Sequence, residues 1–173
     1  MNSFNNRMIR AAKLDVDLYE EVEADTGATS QAMGVVVLSS IASGIGSIAI
    51  GGLSGIIMGT IVALIGWYVW AYLTYLIGTK FLPEPQTSAD LGELLRTIGF
   101  SSSPGIIRVL GIIPGLGGLI FIAASIWMLV AMIIAVRQAL DYNSTLRAVG
   151  VCFIGWVIYS LLSVLLFSIF GTN

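Results

Sequence analysis

Four long apolar runs, at about 33–51, 55–79, 104–136 and 148–170, restrict this chain more than any other feature. A helix needs about 20 apolar residues to cross the hydrocarbon of a bilayer, and each run is that long or longer. Seven of the eight cations lie in the polar stretches outside these runs, and only Arg108 interrupts one. A chain of 173 residues that is 57% hydrophobic and 10% charged cannot hide so much apolar surface in a water-soluble core, so lipid must cover it. The fold class is therefore all-α, an integral membrane helical bundle.

The cations decide how many segments cross. The run 104–136 breaks at Pro114-Gly115-Leu116-Gly117-Gly118, and its second part alone is long enough to span. If the first part does not cross, there are four spans, and Arg137 and Arg147 fall opposite the N-terminal tail, Lys80 and Arg96. If it crosses, the tail (Arg7, Arg10, Lys13), the linker (Lys80, Arg96) and the loop (Arg137, Arg147) share one side, with no cation on the other. Cytosolic loops carry the excess of Lys and Arg, so the second count is preferred. Five membrane segments are expected: 31–51, 55–79, 101–117, 118–136 and 148–170. The third is short and flanked by proline. The N-terminus is expected in the cytosol and the C-terminus outside, in a cell inner (cytoplasmic) membrane.

Residues 1–30 are expected to form a cytosolic amphipathic segment, with 31–170 as the transmembrane domain. Phe4, Met8, Ile9 and Ala12 line one side, against Asn5, Arg7, Arg10 and Lys13. Six acids between Asp15 and Asp25 stand where a signal peptide would need apolar residues, so no cleaved signal is expected. A second amphipathic helix is expected at 87–98, lying at the interface. Thr87 and Asp90 have the spacing of a capping box, Leu91, Leu94, Leu95 and Ile98 line one face, and Gly99 ends it. Its polar face carries Asp90, Glu93 and Arg96.

Little in the chain points to catalysis. There is no His, and Cys152 is the one cysteine, so no catalytic residue, metal site or cofactor is expected. No basic tract points to nucleic acid. Arg108 is the sharpest single feature, because a cation at mid-helix costs about 2.5–3.5 kcal/mol by insertion scales. It either snorkels to the inner headgroups or contacts a lipid phosphate or a carboxylate, with Asp141 and Glu93 the available protein partners. Small residues recur every four positions at Ser39, Ser43, Ser47, Gly51, Gly55 and Gly59. Such spacing lets membrane helices approach closely, within the monomer or between molecules. Tyr72, Tyr75 and Lys80 are expected to anchor the second span at the interface. Trp67 lies too deep for that belt and is expected to pack against another helix. Ser144 or Thr145 is expected to cap the last helix.

The stretch from Leu14 to Ala32, LDVDLYEEVEADTGATSQA, resembles the leader of prokaryotic members of the Yip family of membrane proteins. So do Leu94–Gly105, LLRTIGFSSSPG, and Ala131–Tyr142, AMIIAVRQALDY. The similarity runs from about 14 to 168. It implies five membrane helices and a cytosolic N-terminus. Eukaryotic relatives bind Rab-type GTPases and are similar in topology. They have a longer N-terminal region, and Rab-type GTPase binding is not carried over, nor is any functional residue.

These observations lead to a non-enzymatic membrane protein acting as a scaffold or accessory subunit through helix–helix association. Its expected partners are membrane lipids and another membrane protein or a second copy. The alternative is a small transporter or channel subunit using Arg108 and the broken third segment. An enzyme acting on lipid or quinone has only the Tyr and Trp clusters behind it.

Overall fold

A computed structural model describes residues 3–170, and every regular element among them is helical. The C-terminal residues, expected outside the membrane, lie beyond the described residues. Two short helices come first, α1 (Phe4–Ala12) and α2 (Val16–Ala24). The Ser3 and Asp15 side chains cap them by accepting from backbone N–H groups of the first turn. A 3-10 turn, Thr26–Ala28, leads into α3 (Thr29–Gly46). The long helix α4 (Ile48–Leu76) follows and runs into a π-helical turn, Ile77–Phe81. Then come α5 (Leu91–Ser101), a ten-residue 3-10 segment (Ser103–Ile112), α6 (Gly117–Ala139) and α7 (Thr145–Phe170). Among the described residues, four helical stretches are long and apolar enough to cross a membrane: Thr26–Gly46, Ile48–Phe81, Gly117–Ala139 and Thr145–Leu162.

The first hairpin turns earlier than expected. Helix α3 stops at Gly46, short of residue 51, and the reversal occupies 47–52. Gly52 has φ 58° and ψ −165°, a conformation that side chains with a Cβ rarely adopt, so the kink needs glycine there. Beyond it α4 runs antiparallel to α3. Ser40 Oγ lies 3.1 Å from Thr60 Oγ1, and Gly44 faces Ile56.

The third segment runs parallel to α3. A Cβ on Gly99 would meet Ala32, one on Gly105 would meet Ser39, and Gly46 lies against the Arg108 carbonyl. Gly111 faces the Gly46 carbonyl. From Ala32 to Gly46 α3 advances fourteen residues, about 21 Å at 1.5 Å each. Its neighbour has only twelve residues between Gly99 and Gly111, about 18 Å if wound as α-helix. The 3-10 winding, at about 2.0 Å per residue, supplies the missing length. Pro104 starts this segment, and Gly115, at φ +81°, helps reverse the chain into α6.

The bundle has one charged end and one bare end. At the charged end α2, α5, the 137–147 loop and the start of α7 pack together. Leu18, Tyr19, Val22, Leu94, Phe100, Leu140 and Val151 are fully buried there. Three expectations are corrected at this end. The helix expected at 87–98 spans Leu91–Ser101, and its second half is buried from Leu94 onward apart from Leu95. Its capping box is Asp90 with Glu93, one turn later than Thr87 with Asp90. Gly99 does not end it: a Cβ there would lie 2.7 Å from the Ala32 Cβ, so this glycine permits the crossing of α3 and α5.

Helix α1 also differs from its sequence pattern. Arg7 is buried, and Ile9 is 56% exposed. Burial of Arg7 costs little because Glu21 (2.9 Å), Asp25 (2.8 Å) and Gln31 (3.1 Å) receive its donors. Arg10 pairs with Asp15 and Glu21. Asp15, Glu21 and Asp25 of the acidic stretch thus form with Arg7 and Arg10 an ion-pair network that fastens α1 to α2, and Gln31 adds a hydrogen bond from α3.

Candidate functional site

A cavity of about 710 Å³ lies among α3, α4, the α5/3-10 segment and α6. Helix α4 packs on α3 and α5, and α6 packs on the 3-10 segment and α5. The space left between α4 and α6 forms the opening. Its rim carries Gly55, Gly59, Ser125 and Leu129, all exposed, so the cavity opens sideways, toward where lipid would lie. Toward the charged end it is closed by Trp67, whose Nε1 donates to the Leu95 carbonyl at 3.0 Å. Trp67 thus packs against another helix, as its depth in the second run suggested.

Arg108 reaches into this cavity. Its backbone lies beside Gly46, at the bare end, and its guanidinium extends to α6. There Nη2 donates to Ser125 Oγ at 3.0 Å, and the group sits 5.7 Å over the Phe121 ring. Ser125 is eight residues past Gly117, about 12 Å along α6 from its start. The side chain therefore points away from the bare end, but it stops on Ser125 and Phe121, fourteen residues short of Ala139 at the charged end, where inner headgroups would meet a snorkelling arginine. Neither Asp141 nor Glu93 is its partner, and among the described residues no carboxylate lines the cavity. Arg108 Nε is buried with no acceptor. Trp70 Nε1, on the cavity's α4 wall, is likewise buried with no acceptor.

The serines of the wall have the opposite deficit. Ser40 donates to the Val37 carbonyl at 2.8 Å, Ser47 to Ser43 at 2.9 Å, Ser101 to Ile98 at 2.7 Å and Ser125 to Phe121 at 2.8 Å. Each hydroxyl hydrogen returns to its own helix, as serine in an apolar segment commonly does. The oxygens keep lone pairs to offer. The cavity thus combines two unused donors with several acceptors.

The small-residue positions divide. Ser39, Ser43 and Ser47 line the cavity from α3 and its end, and Gly55 and Gly59 from α4. A Cβ on Gly51, Gly55 or Gly59 would meet nothing within 4 Å, so these three permit no close approach inside the molecule. Within the chain, close approach falls at Gly44, Gly46, Gly99 and Gly105. Tyr72 and Lys80 are exposed, whereas Tyr75 is half-buried against the charged-end core. Sequence reasoning found Arg108 and the serine stripe. It missed Ser125 and Trp70, since nothing in their spacing says which helices the fold sets side by side.

The charged end holds a separate polar cluster. Arg96, expected on an exposed face, is buried and donates through Nε to the Val22 carbonyl at 2.9 Å, with Glu23's carbonyl sharing the guanidinium. It fills the C-terminus of α2, where free carbonyls and the helix dipole attract a cation. Glu23 Oε2 is buried with no partner. Burial, with Glu20, Glu93 and Asp141 adding to it and Arg96 opposing, raises the Glu23 carboxyl to about 8. Tyr142 donates its one hydroxyl hydrogen to the Leu82 carbonyl (2.7 Å), with the Gly78 carbonyl also within 3.0 Å, and burial pushes its phenol up to about 12. It ties the π-helical turn to the 137–147 loop. Ser144 caps α7, accepting from the Arg147 N–H at 3.4 Å.

Set against known proteins, a family model described as the Yip1 domain matches residues 24–167. Comparison with curated proteins and with solved structures gives no match.

Proposed function

The chain belongs to the Yip1 domain family and is a transmembrane protein, and from that premise we propose that it is a non-enzymatic scaffold or accessory subunit, holding a second membrane helix against α4. One observation carries this reading. The first two-thirds of α4 buries no residue, and its glycines at 51, 55 and 59 face open space. Leu53 is 71% exposed and Ile57 59% exposed beside them. Small residues flanked by large apolar ones suit a close helix–helix crossing in lipid. The partner is another membrane protein or a second copy. Rab-type GTPase binding forms no part of the proposal. Tyr72 and Lys80 serve as interface anchors, with Tyr75 turned inward.

The proposed setting is five crossings in a cell inner membrane, with residues 1–30 cytosolic and the C-terminus outside. Two facts support it. The segment from Gly99 to Gly111 keeps pace with α3 from Ala32 to Gly46. The seven cations other than Arg108 then share the cytosolic side.

Cross-linked pull-down from native membranes tests the scaffold role. Wild-type protein should recover a membrane partner. Gly55→Leu should lower that recovery about fivefold, the factor for roughly 1 kcal/mol of lost helix packing. A lone monomer in mild detergent, with no partner before or after cross-linking, contradicts it. The Arg108 cavity favours a second reading, a small transporter or channel subunit. Solute flux through protein-loaded liposomes would select it over association.

A further inference from the structure

We propose that the Arg108 cavity binds the headgroup of an anionic phospholipid with a hydroxyl-bearing (polyol) head, whose acyl chains leave between α4 and α6. The inference goes beyond helix association, because it assigns a ligand to the Arg108 cavity, whose rim shares Gly55 and Gly59 with the α4 ridge.

The anion follows from Arg108. A guanidinium carries five N–H donors. Among the described residues only Ser125 accepts from this one, and Nε is buried with no acceptor. Among the described residues no acid lines the cavity to neutralise the charge. Phe121 and Ser125 hold the side chain about 12 Å along α6, where an unpaired cation is costly. A phosphodiester supplies the missing charge and accepts from the guanidinium fork in the plane it offers.

The polyol follows from the serines. Ser40, Ser47 and Ser125 spend their hydrogens on their own helices, so the wall asks for donors. Headgroup hydroxyls supply them. A choline head brings no donor, and its cation would face Arg108 with no acid nearby. The lipid source follows from the opening: the rim at Gly55, Gly59, Ser125 and Leu129 is exposed between two apolar helices. A volume of about 710 Å³ holds a headgroup and leaves the chains outside.

The test is native mass spectrometry of the delipidated full chain titrated with phosphatidylglycerol, phosphatidylcholine or soluble glycerol phosphate. Wild-type protein should prefer phosphatidylglycerol over phosphatidylcholine by about tenfold or more, as expected for charge-assisted hydrogen bonds. Arg108→Gln should bring the ratio near one. Equal binding of both lipids by the wild type overturns the proposal, as does a preference that survives Arg108→Gln. Glycerol phosphate competing as well as the lipid overturns the lipid assignment in favour of a free anion. Should Arg108→Gln not fold, a photoreactive phosphatidylglycerol on the wild type decides. Adducts within 55–63 of α4 and 125–129 of α6 support the site, and adducts confined elsewhere refute it. Loss of lipid preference with the pull-down intact, or the reverse, separates this proposal from the scaffold role.

Discussion

Glu23 and Arg96 meet at the C-terminus of α2, and they show how far single residues depart from their sequence pattern. Arg96 looked like part of a solvated face, yet it is buried on two backbone carbonyls contributed by residues more than seventy positions away. No helical spacing carries that information. Glu23 is left with a buried oxygen that no donor meets. Its carboxyl titrates near 8, against 4.5 for an ordinary glutamate, chiefly because burial disfavours the charge. The sign of the pH effect follows. Between about 4.5 and 8 the folded chain keeps this proton and the unfolded chain does not. Stability from this group is therefore full below 4.5 and is lost as pH rises through 8. Glu23→Gln keeps the shape and removes the titration. Thermal unfolding in detergent at pH 6 and pH 9 should show a smaller loss on going alkaline for the variant than for the wild type. Identical pH slopes would contradict this account of Glu23.

Among the elements, the 3-10 segment Ser103–Ile112 is the least ordinary, since such runs seldom exceed three or four residues. The sequence marked its place by Pro104 and by the Pro114 turn, and marked it as short. Its winding was not legible, because that depends on a backbone-to-backbone approach to α3. Gly46 lies against the Arg108 carbonyl, and Gly105 against Ser39. In contrast, the glycine repeat that stood out in the sequence, Gly51-Gly55-Gly59, faces open space. Spacing reveals small residues but not which of them a neighbour needs. Two substitutions separate these classes. Gly46→Ala forces a Cβ into a carbonyl that is fixed in the chain, and should destabilise the monomer by about 1–3 kcal/mol. Gly59→Ala meets nothing and gains helix propensity, so it should be neutral or slightly stabilising. Equal effects in chemical unfolding would mean that the 3-10 segment does not press on α3.

For the whole molecule, apolar length made the helical membrane class and the four helices long enough to cross legible in the sequence. The lateral cavity was not legible, because it is the gap left when α4 and α6 pack on opposite flanks of α3 and the 3-10 segment. Both the gap and the proposed topology depend on the third segment travelling alongside α3 from the charged end to the bare end. The most direct measurement is cysteine labelling of intact cells with a membrane-impermeant maleimide, in a Cys152→Ser background. Leu116→Cys should label from outside, whereas Asn143→Cys should label only after permeabilisation. External labelling of Asn143→Cys, with Leu116→Cys protected, would mean that residues 101–117 return to their starting side, and the five-crossing account would be contradicted.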